Sequence, residues 1–379
     1  MDKKFIDTLA WWIPIKKLRD KFRNIYKRQI KTNIINKTAI VILAYADFES
    51  LEISLAMHCK YNSHNADIFI LQNGRGTYDC ERTYRVAKRY EALYPKQIKV
   101  VDWIKPQKAY YSIKELLDSE LMSKYEYICK IDDDTFPLTE SWLNDLCKCY
   151  EDSYSKYKEN LSYVTGLVNN NCWGFARLIK IMGIENEYFK EYSRFHYVGI
   201  ENYYCGIGNN LELLDNTKIS DMACGTIWRN AYISRWIHNK TTLNHLEYIK
   251  RTSNKGYEEI DNAKRYSINC ILFKKEFWND IYNNEFNDDD EHSCLLYSYN
   301  NNKKIICNLE VPFVHLFYFT QREENKDLIP IIRDYYSKVI NAPYPISICV
   351  NKEQENENRL RFLESIIDKN NIIQNKTIE

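Results

Sequence analysis

The chain alternates short apolar runs with segments whose apolar residues recur every three or four positions, the pattern of strands laid between helices. Ala39 to Tyr45 is a β-branched run that predicts a first strand, and Phe48 to Tyr61, with Leu51, Leu55 and Cys59 on one face, predicts a helix. Ile68 to Leu71 predicts a second strand ending at Gln72-Asn73-Gly74, followed by a helix over Tyr84 to Tyr94 that Pro95 stops. Ile98 to Trp103 predicts a third strand, Ser112 to Met122 a helix, and Tyr127 to Ile131 a fourth strand. Repeated units of this kind predict an α/β fold: a mostly parallel, Rossmann-like sheet with helices on both faces. Ligand sites in such sheets lie beyond the carboxyl ends of the strands, where Tyr45, Asn73 and Asp132 fall.

Ahead of this array, Trp11, Ile15, Leu18, Phe22 and Ile25 draw one apolar stripe, with Lys16, Lys17, Arg19, Lys21 and Arg23 filling the gaps. Residues 1–37 carry eleven Lys and Arg against Asp2, Asp7 and Asp20. A basic amphipathic helix of this kind lies in a membrane interface, with cations near anionic lipid, or docks on the domain's own core. Beyond about residue 165 the periodicity weakens and aromatics crowd around Asn169-Asn170-Asn171-Cys172-Trp173, Tyr192 to Tyr204 and Trp228 to Trp236. A strand-like run over Tyr266 to Phe273 leads to the acidic run Asp288-Asp289-Asp290-Glu291, and the apolar runs Ile305 to Leu309 and Val311 to Phe317 follow. The end of the chain, rich in Asn, Glu and Lys, predicts a charged helical tail.

Composition changes this picture little. Lys and Arg total 53 against 52 Asp and Glu, a balance that gives no nucleic-acid footprint. The twelve cysteines are scattered, mostly inside apolar runs, which predicts reduced thiols in a cytoplasmic protein. No apolar run approaches the roughly 18 residues needed to span a bilayer.

The candidate chemistry is concentrated in Asp132-Asp133-Asp134, at the end of the fourth strand. Adjacent carboxylates repel one another and are costly to desolvate, so their position at a strand end calls for a cation, and a divalent metal would serve. In order, these elements resemble the GT-A glycosyltransferases, most closely the inverting family 2 type of bacterial lipooligosaccharide, capsule and glycan assembly. The resemblance covers roughly residues 38–320 and rests on Ile42-Leu43-Ala44-Tyr45, Leu71-Gln72-Asn73-Gly74, the Asp triplet, the Asp290-Glu291 pair and the late His315.

The resemblance implies a nucleotide-sugar site in residues 38–165 and acceptor and base in residues 166–325, and the residue pattern adds a membrane-associating segment in 1–37 and a helical tail in 326–379. It implies that Asp134 holds Mn²⁺ or Mg²⁺ directly with His315, that Asp132 contacts ribose or a metal-bound water, and that Asp133 is a bystander beside the nucleotide. Ala44, Tyr45, Gln72, Asn73 and Arg75 complete the nucleotide end, where Gln72 replaces the family's usual Asp and leaves UDP the expected nucleotide without charge assistance. Glu291 or Asp290 would be the base that takes the acceptor hydroxyl's proton. Trp173, Trp228, Arg229 and Trp236 are the candidates for contacting a saccharide or lipid-linked acceptor. The expected place of action is the cytoplasmic face of the inner membrane. A sugar-phosphate nucleotidyltransferase is the competing enzyme, but it would want a Gly-rich phosphate loop, and Ala44-Tyr45-Ala46-Asp47 is not one. A non-catalytic carbohydrate-binding protein would not need both acidic clusters.

Overall fold

The computed structural model describes residues 34–62, 65–171, 175–192, 197–201, 209–213, 231–260, 266–283 and 290–341. Its first half is the alternation read from the sequence: β1 (Thr38–Ala44), α1 (Phe48–Lys60), β2 (Ile68–Gln72), α2 (Tyr78–Leu93), β3 (Ile98–Val101), α3 (Ala109–Asp118) and β4 (Tyr127–Asp132). Asp47 caps α1 by accepting from the Ser50 amide, and Thr77 caps α2 by accepting from Cys80. That cap starts α2 six residues before the expected Tyr84. The helix expected over Ser112 to Met122 begins earlier, at Ala109, and gives way to a separate 3-10 turn at Glu120–Met122.

The chain continues through β5 (Thr135–Pro137), α4 (Trp142–Tyr157), β6 (Leu161–Val168), α5 (Phe175–Met182), α6 (Glu185–Tyr192) and a separate ribbon of β7 (Tyr197–Glu201) with β8 (Asn209–Leu213). Then come α7 (Ala231–Lys240), α8 (His245–Thr252), β9 (Tyr257–Ile260), β10 (Cys270–Lys274), α9 (Lys275–Asn283), α10 (Asp290–Asn300), β11 (Lys304–His315), α11 (Phe319–Arg322) and α12 (Leu328–Ile340).

The main sheet runs β3-β2-β1-β4-β10-β6-β11-β5, with β9 on the first part of β11. It is mixed rather than purely parallel: β1, β2, β3, β4, β6 and β11 run one way, as the expected mostly parallel sheet requires, and β5, β9 and β10 the other. β1 to β4 pair in parallel, but β10 enters antiparallel between β4 and β6, and β5 and β9 are antiparallel to β11. Because β10 comes from beyond residue 166, the sheet is continuous across the 165/166 division. The carboxyl ends of β1, β2, β4, β6 and β11 all reach one edge.

Alternation along β1 supplies two cores, Ala39 and Val41 on one face and Ile40, Ile42 and Ala44 on the other. The tail is less detached than its charge suggests. Ile332 and Tyr336 of α12 are fully buried, Tyr336 meets Phe136 edge to face, and Arg333 pairs with buried Glu52 of α1. Residues 342–379, and the N-terminal amphipathic stretch up to residue 33, lie outside the described residues. No helix among the described residues is long and apolar enough to cross a membrane.

β6 and β11 approach closely at Gly166, where an added Cβ would stand 2.6 Å from the Val311 carbonyl oxygen and 2.6 Å from the Phe313 ring. Gly166→Ala should therefore cost about 1–3 kcal/mol of stability by overpacking, read by urea unfolding. An unchanged midpoint would contradict this packing of the two central strands.

Candidate active site

The sheet edge gathers the acidic triplet into a cleft of about 380 Å³ lined by Tyr45, Asn73, Asp132, Asp133, Asp134, Glu291, His315 and Arg322 among others. Asp132 is the last residue of β4, and Asp133 and Asp134 form the turn into β5. Two side chains of α1 hold that turn: the Ser54 hydroxyl donates to the Thr135 carbonyl at 2.8 Å, and His58 Nε2 lies 3.2 Å from the same oxygen. Pairing of Thr135 with His315 then fixes Asp134 beside the end of β11, where the Leu316 amide donates to the Asp134 carbonyl.

His315 Nδ1 sits 2.8 Å from the Asn170 carbonyl oxygen, so that nitrogen carries the hydrogen and Nε2 faces Asp134 Oδ2 at 3.3 Å. Burial opposes both charges, but each partner outweighs it for the other. Asp134 is held below the usual carboxylate range and His315 is raised above the usual imidazole range. Asp133 accepts from the Tyr45 amide at 3.0 Å, yet burial and the neighbouring Asp134 and Asp47 push its carboxyl well above the usual range. Asp47 and Asp132 are also raised, in each case first by burial. Arg322 of α11 reaches into this patch, 3.3 Å from Asp47 and 3.9 Å from Asp134.

Behind the triplet lies a group that the sequence reading passed over. Lys130, 2% exposed, points its ammonium at Asp132 Oδ1 (2.6 Å), Asp290 Oδ2 (3.2 Å) and the Ile268 carbonyl (3.1 Å). Burial disfavours its charge, but Asp132 and Asp290 more than compensate and raise its ionisation further. Asp290 is thereby tied into the protein, while Glu291, the next residue of α10, lines the cleft. The last two residues of the acidic run are thus the first turn of a helix, where the dipole favours carboxylates. Asp288 and Asp289 lie outside the described residues.

The run Asn169-Asn170-Asn171 also has a job that its sequence did not announce. All three are buried at the carboxyl end of β6. Asn169 Oδ1 accepts from the His315 amide, the Asn170 carbonyl orients the His315 ring, and Asn171 Nδ2 donates to the Ser267 carbonyl and to Asn269, whose own amide donates to Asp132 at 3.1 Å. His238 of α7 adds Nε2 against the Leu316 carbonyl at 2.5 Å.

The other expected residues are dispersed. Ala44 is buried in β1, and Tyr45, 59% exposed, forms a wall of the cleft. Asn73 lines the cleft and is held by Ser112 and Gln107. Gln72 is fully buried, its amide donating to the Gly74 carbonyl, and it does not line the cleft. Arg75 turns to the Asp102 carbonyl and the Tyr84 ring. Trp236 packs against Tyr188 in the core and is not part of the cleft lining. Trp173, Trp228 and Arg229 lie outside the described residues.

Among the described residues, no three His, Cys, Asp or Glu side chains are grouped to hold a metal. Asp134 and His315 offer one hard carboxylate and one imidazole nitrogen side by side, a pair that suits Mn²⁺ when phosphate oxygens and water supply the remaining ligands.

No family model matches the chain, and no curated protein matches it. Among solved structures it is similar to GalNAc-T7 with UDP, GalNAc and Mn²⁺, at 9% identity and a TM-score of 0.42 over 79% of this chain and 50% of that one. It is similar to a mannosyltransferase from Pyrobaculum calidifontis in complex with GDP-Man and Mn²⁺, at 10% identity and a TM-score of 0.27 over 43% of each chain. It is also similar to 4-diphosphocytidyl-2C-methyl-D-erythritol synthase from Anaerococcus prevotii, at 12% identity and a TM-score of 0.39 over 81% of this chain and 99% of that one. The chain thus spans half the length of the GalNAc-T7 chain.

Removing the buried ammonium by Lys130→Met leaves Asp132 and Asp290 facing each other uncompensated, and should cost about 3 kcal/mol in urea unfolding. A loss near the ordinary surface value of about 0.5 kcal/mol would show that the pair is not buried as described.

Burial holds His58 and His238 at about 4, so both are neutral in the folded chain above that value. Below about 6.5 the unfolded chain takes up protons that these side chains refuse, so the stability of the neutral form is complete above 6.5 and is lost as pH falls toward 4. His58→Gln keeps a donor for Thr135 and removes one such proton. The stability advantage of the unaltered protein over this variant should shrink by about 1.4 kcal/mol per pH unit between pH 6 and 4. A pH-independent difference would show that His58 is accessible to protons.

Proposed function

We propose that the chain is a glycosyltransferase that moves a sugar from a nucleoside diphosphate-sugar, UDP favoured, to a saccharide or lipid-linked acceptor by single displacement with inversion. The observation that carries this reading is the charge balance of the cleft. Burial and the neighbouring carboxylates push the carboxyls of Asp47, Asp132 and Asp133 above the usual range, so their charged forms are short of positive charge although Arg322 reaches Asp47 and Lys130 reaches Asp132. A diphosphate accompanied by a divalent cation satisfies such a site. The anion alone would not.

Asp134 and His315 would hold the metal, with the Asn170 carbonyl keeping the Nε2 lone pair of His315 turned toward it. When bound, the ion supplies charge neutralisation for the departing diphosphate. Arg322 is placed to lend a second positive charge to the phosphate oxygens, releasing Asp47 as it does so. Tyr45, its ring exposed at the mouth, offers a face on which a nucleobase can stack.

Glu291 is the base in this reading, because it borders the cleft while Asp290 is committed to Lys130. Its carboxylate takes the acceptor hydroxyl proton as that oxygen bonds to the anomeric carbon, and the bond from that carbon to the diphosphate breaks with its electron pair leaving on phosphate. The basic residues ahead of Thr38 would bring the protein to anionic lipid bearing the acceptor.

Incubation with a panel of UDP- and GDP-sugars and Mn²⁺ should release a nucleoside diphosphate slowly from one donor, and faster once an acceptor is present. Glu291→Gln should bind that donor with near-normal affinity in calorimetry and turn over about a hundredfold slower. Asp134→Ala should lose turnover by about a hundredfold or more. Release of pyrophosphate from a nucleoside triphosphate and a sugar phosphate would instead establish nucleotidyl transfer, and wild-type rates in Glu291→Gln would remove it as the base.

A further inference from the structure

A second depression, of about 410 Å³, opens beside the cleft and is lined by Trp103, Gln107, Tyr111, Lys114, Glu115, Asp118, Ser119 and Tyr282. Its floor is one face of α3, where Tyr111, Lys114, Glu115 and Asp118 follow one another at helical spacing. Its far wall is Trp103, just past the carboxyl end of β3, and Tyr282 near the end of α9. Trp103 is 52% exposed and has neither a ring partner nor a hydrogen-bond partner among the described residues. By contrast Tyr282 is stacked on Tyr110 at 5.8 Å and covered by the Lys114 ammonium at 5.1 Å, so it acts as a fixed wall rather than an open platform.

The polar groups around the indole are ordered. Lys114 pairs with Asp118, and Gln107 Nε2 donates to Glu115 at 3.0 Å. An apolar peptide would have to strip these groups of water without replacing their partners. A neutral ring that presents an apolar CH face to the indole and hydroxyls to the carboxylates, amide and ammonium would satisfy both kinds of surface.

The groove is also joined to the cleft. Asn73 of the cleft donates to the Gln107 carbonyl at 2.9 Å and accepts from the Gln107 amide at 3.4 Å, and Ala109, two residues on, borders the cleft. The 102–108 connection is therefore the shared rim of both depressions. A chain of sugars with its reactive end near Glu291 can cross that rim and reach Trp103.

We infer that this groove is a subsite for a neutral oligosaccharide, in which Trp103 stacks on a sugar ring distant from the reacting hydroxyl. The inference rests on the glycosyl-transfer reading for the direction of the chain, and on the groove alone for the binding. It makes the acceptor an extended glycan rather than a monosaccharide.

The test is calorimetric titration of the full chain, without donor, with neutral hexaoses of the gluco, galacto, manno and N-acetylglucosamine series. At least one should bind, and Trp103→Ala should weaken it about tenfold, the loss of one stacked ring. Lys114→Gln, on the floor of the groove, should weaken it less. Absence of binding by every hexaose at millimolar concentration, or equal binding by Trp103→Ala with an unchanged circular dichroism spectrum, overturns the subsite. Donor hydrolysis by the unaltered protein is followed in parallel. Hexaose binding that depends on Trp103 in a chain that hydrolyses no nucleotide-sugar would overturn the transfer reading and leave the saccharide site standing.

Discussion

One ammonium group holds the acidic edge of the sheet together. Lys130 enters the core from β4, two residues before the chain surfaces, and its charge is shared between Asp132 on its own strand and Asp290 at the start of α10. A lone cation at that depth would be costly to bury, and so would either carboxylate. Together they tie a strand to a helix that the chain reaches only after more than 150 further residues. The placement of Glu291, one residue along α10, depends on that tie. The facing side of the triplet relies on a weaker arrangement, His315 and Arg322 against Asp134 and Asp47, in which positive charge falls short.

This division explains the cleft as a site prepared for an incoming ligand. Behind the strand end, neighbouring groups fix the side chains: Lys130, Asn269 and the three consecutive asparagines that follow β6. In front, carboxylates whose ionisation is disfavoured by burial and by one another face the cleft beside one arginine. Rigid support behind and unmet charge in front is the arrangement expected where a cation and an anionic ligand arrive together.

The sequence made much of this legible. Alternating periodicity located β1 to β4 because those strands are buried on both faces and punctuated by helices with caps and breakers. The Asp triplet stood out because charge ended an apolar run, and His315 because an imidazole interrupted one at the place of the family's late histidine. Lys130 left a trace that was available: a single cation inside Tyr127 to Ile131, an otherwise apolar strand, needs a buried anion, and Asp132 sits two residues away on the same face. The antiparallel entry of β10 left none, since strand direction is set by tertiary pairing and not by local pattern. Arg322 was hidden for a similar reason, lying in a polar stretch whose proximity to Asp47 exists only in the folded chain. Trp236 had the right chemistry for a sugar platform but is spent on the core, whereas Trp103, read in the sequence only as the last residue of a strand, stands exposed just past β3.

The central claim is that Asp134 and His315 complete a cation site only when a diphosphate is present. Loss of the free Mn²⁺ electron paramagnetic resonance signal on titration with the protein tests it directly, with and without UDP. The account predicts weak Mn²⁺ binding alone, binding strengthened about tenfold or more by UDP, and loss of that strengthening in Asp134→Asn. Equal Mn²⁺ binding with and without UDP, or UDP binding undiminished by EDTA, would contradict it.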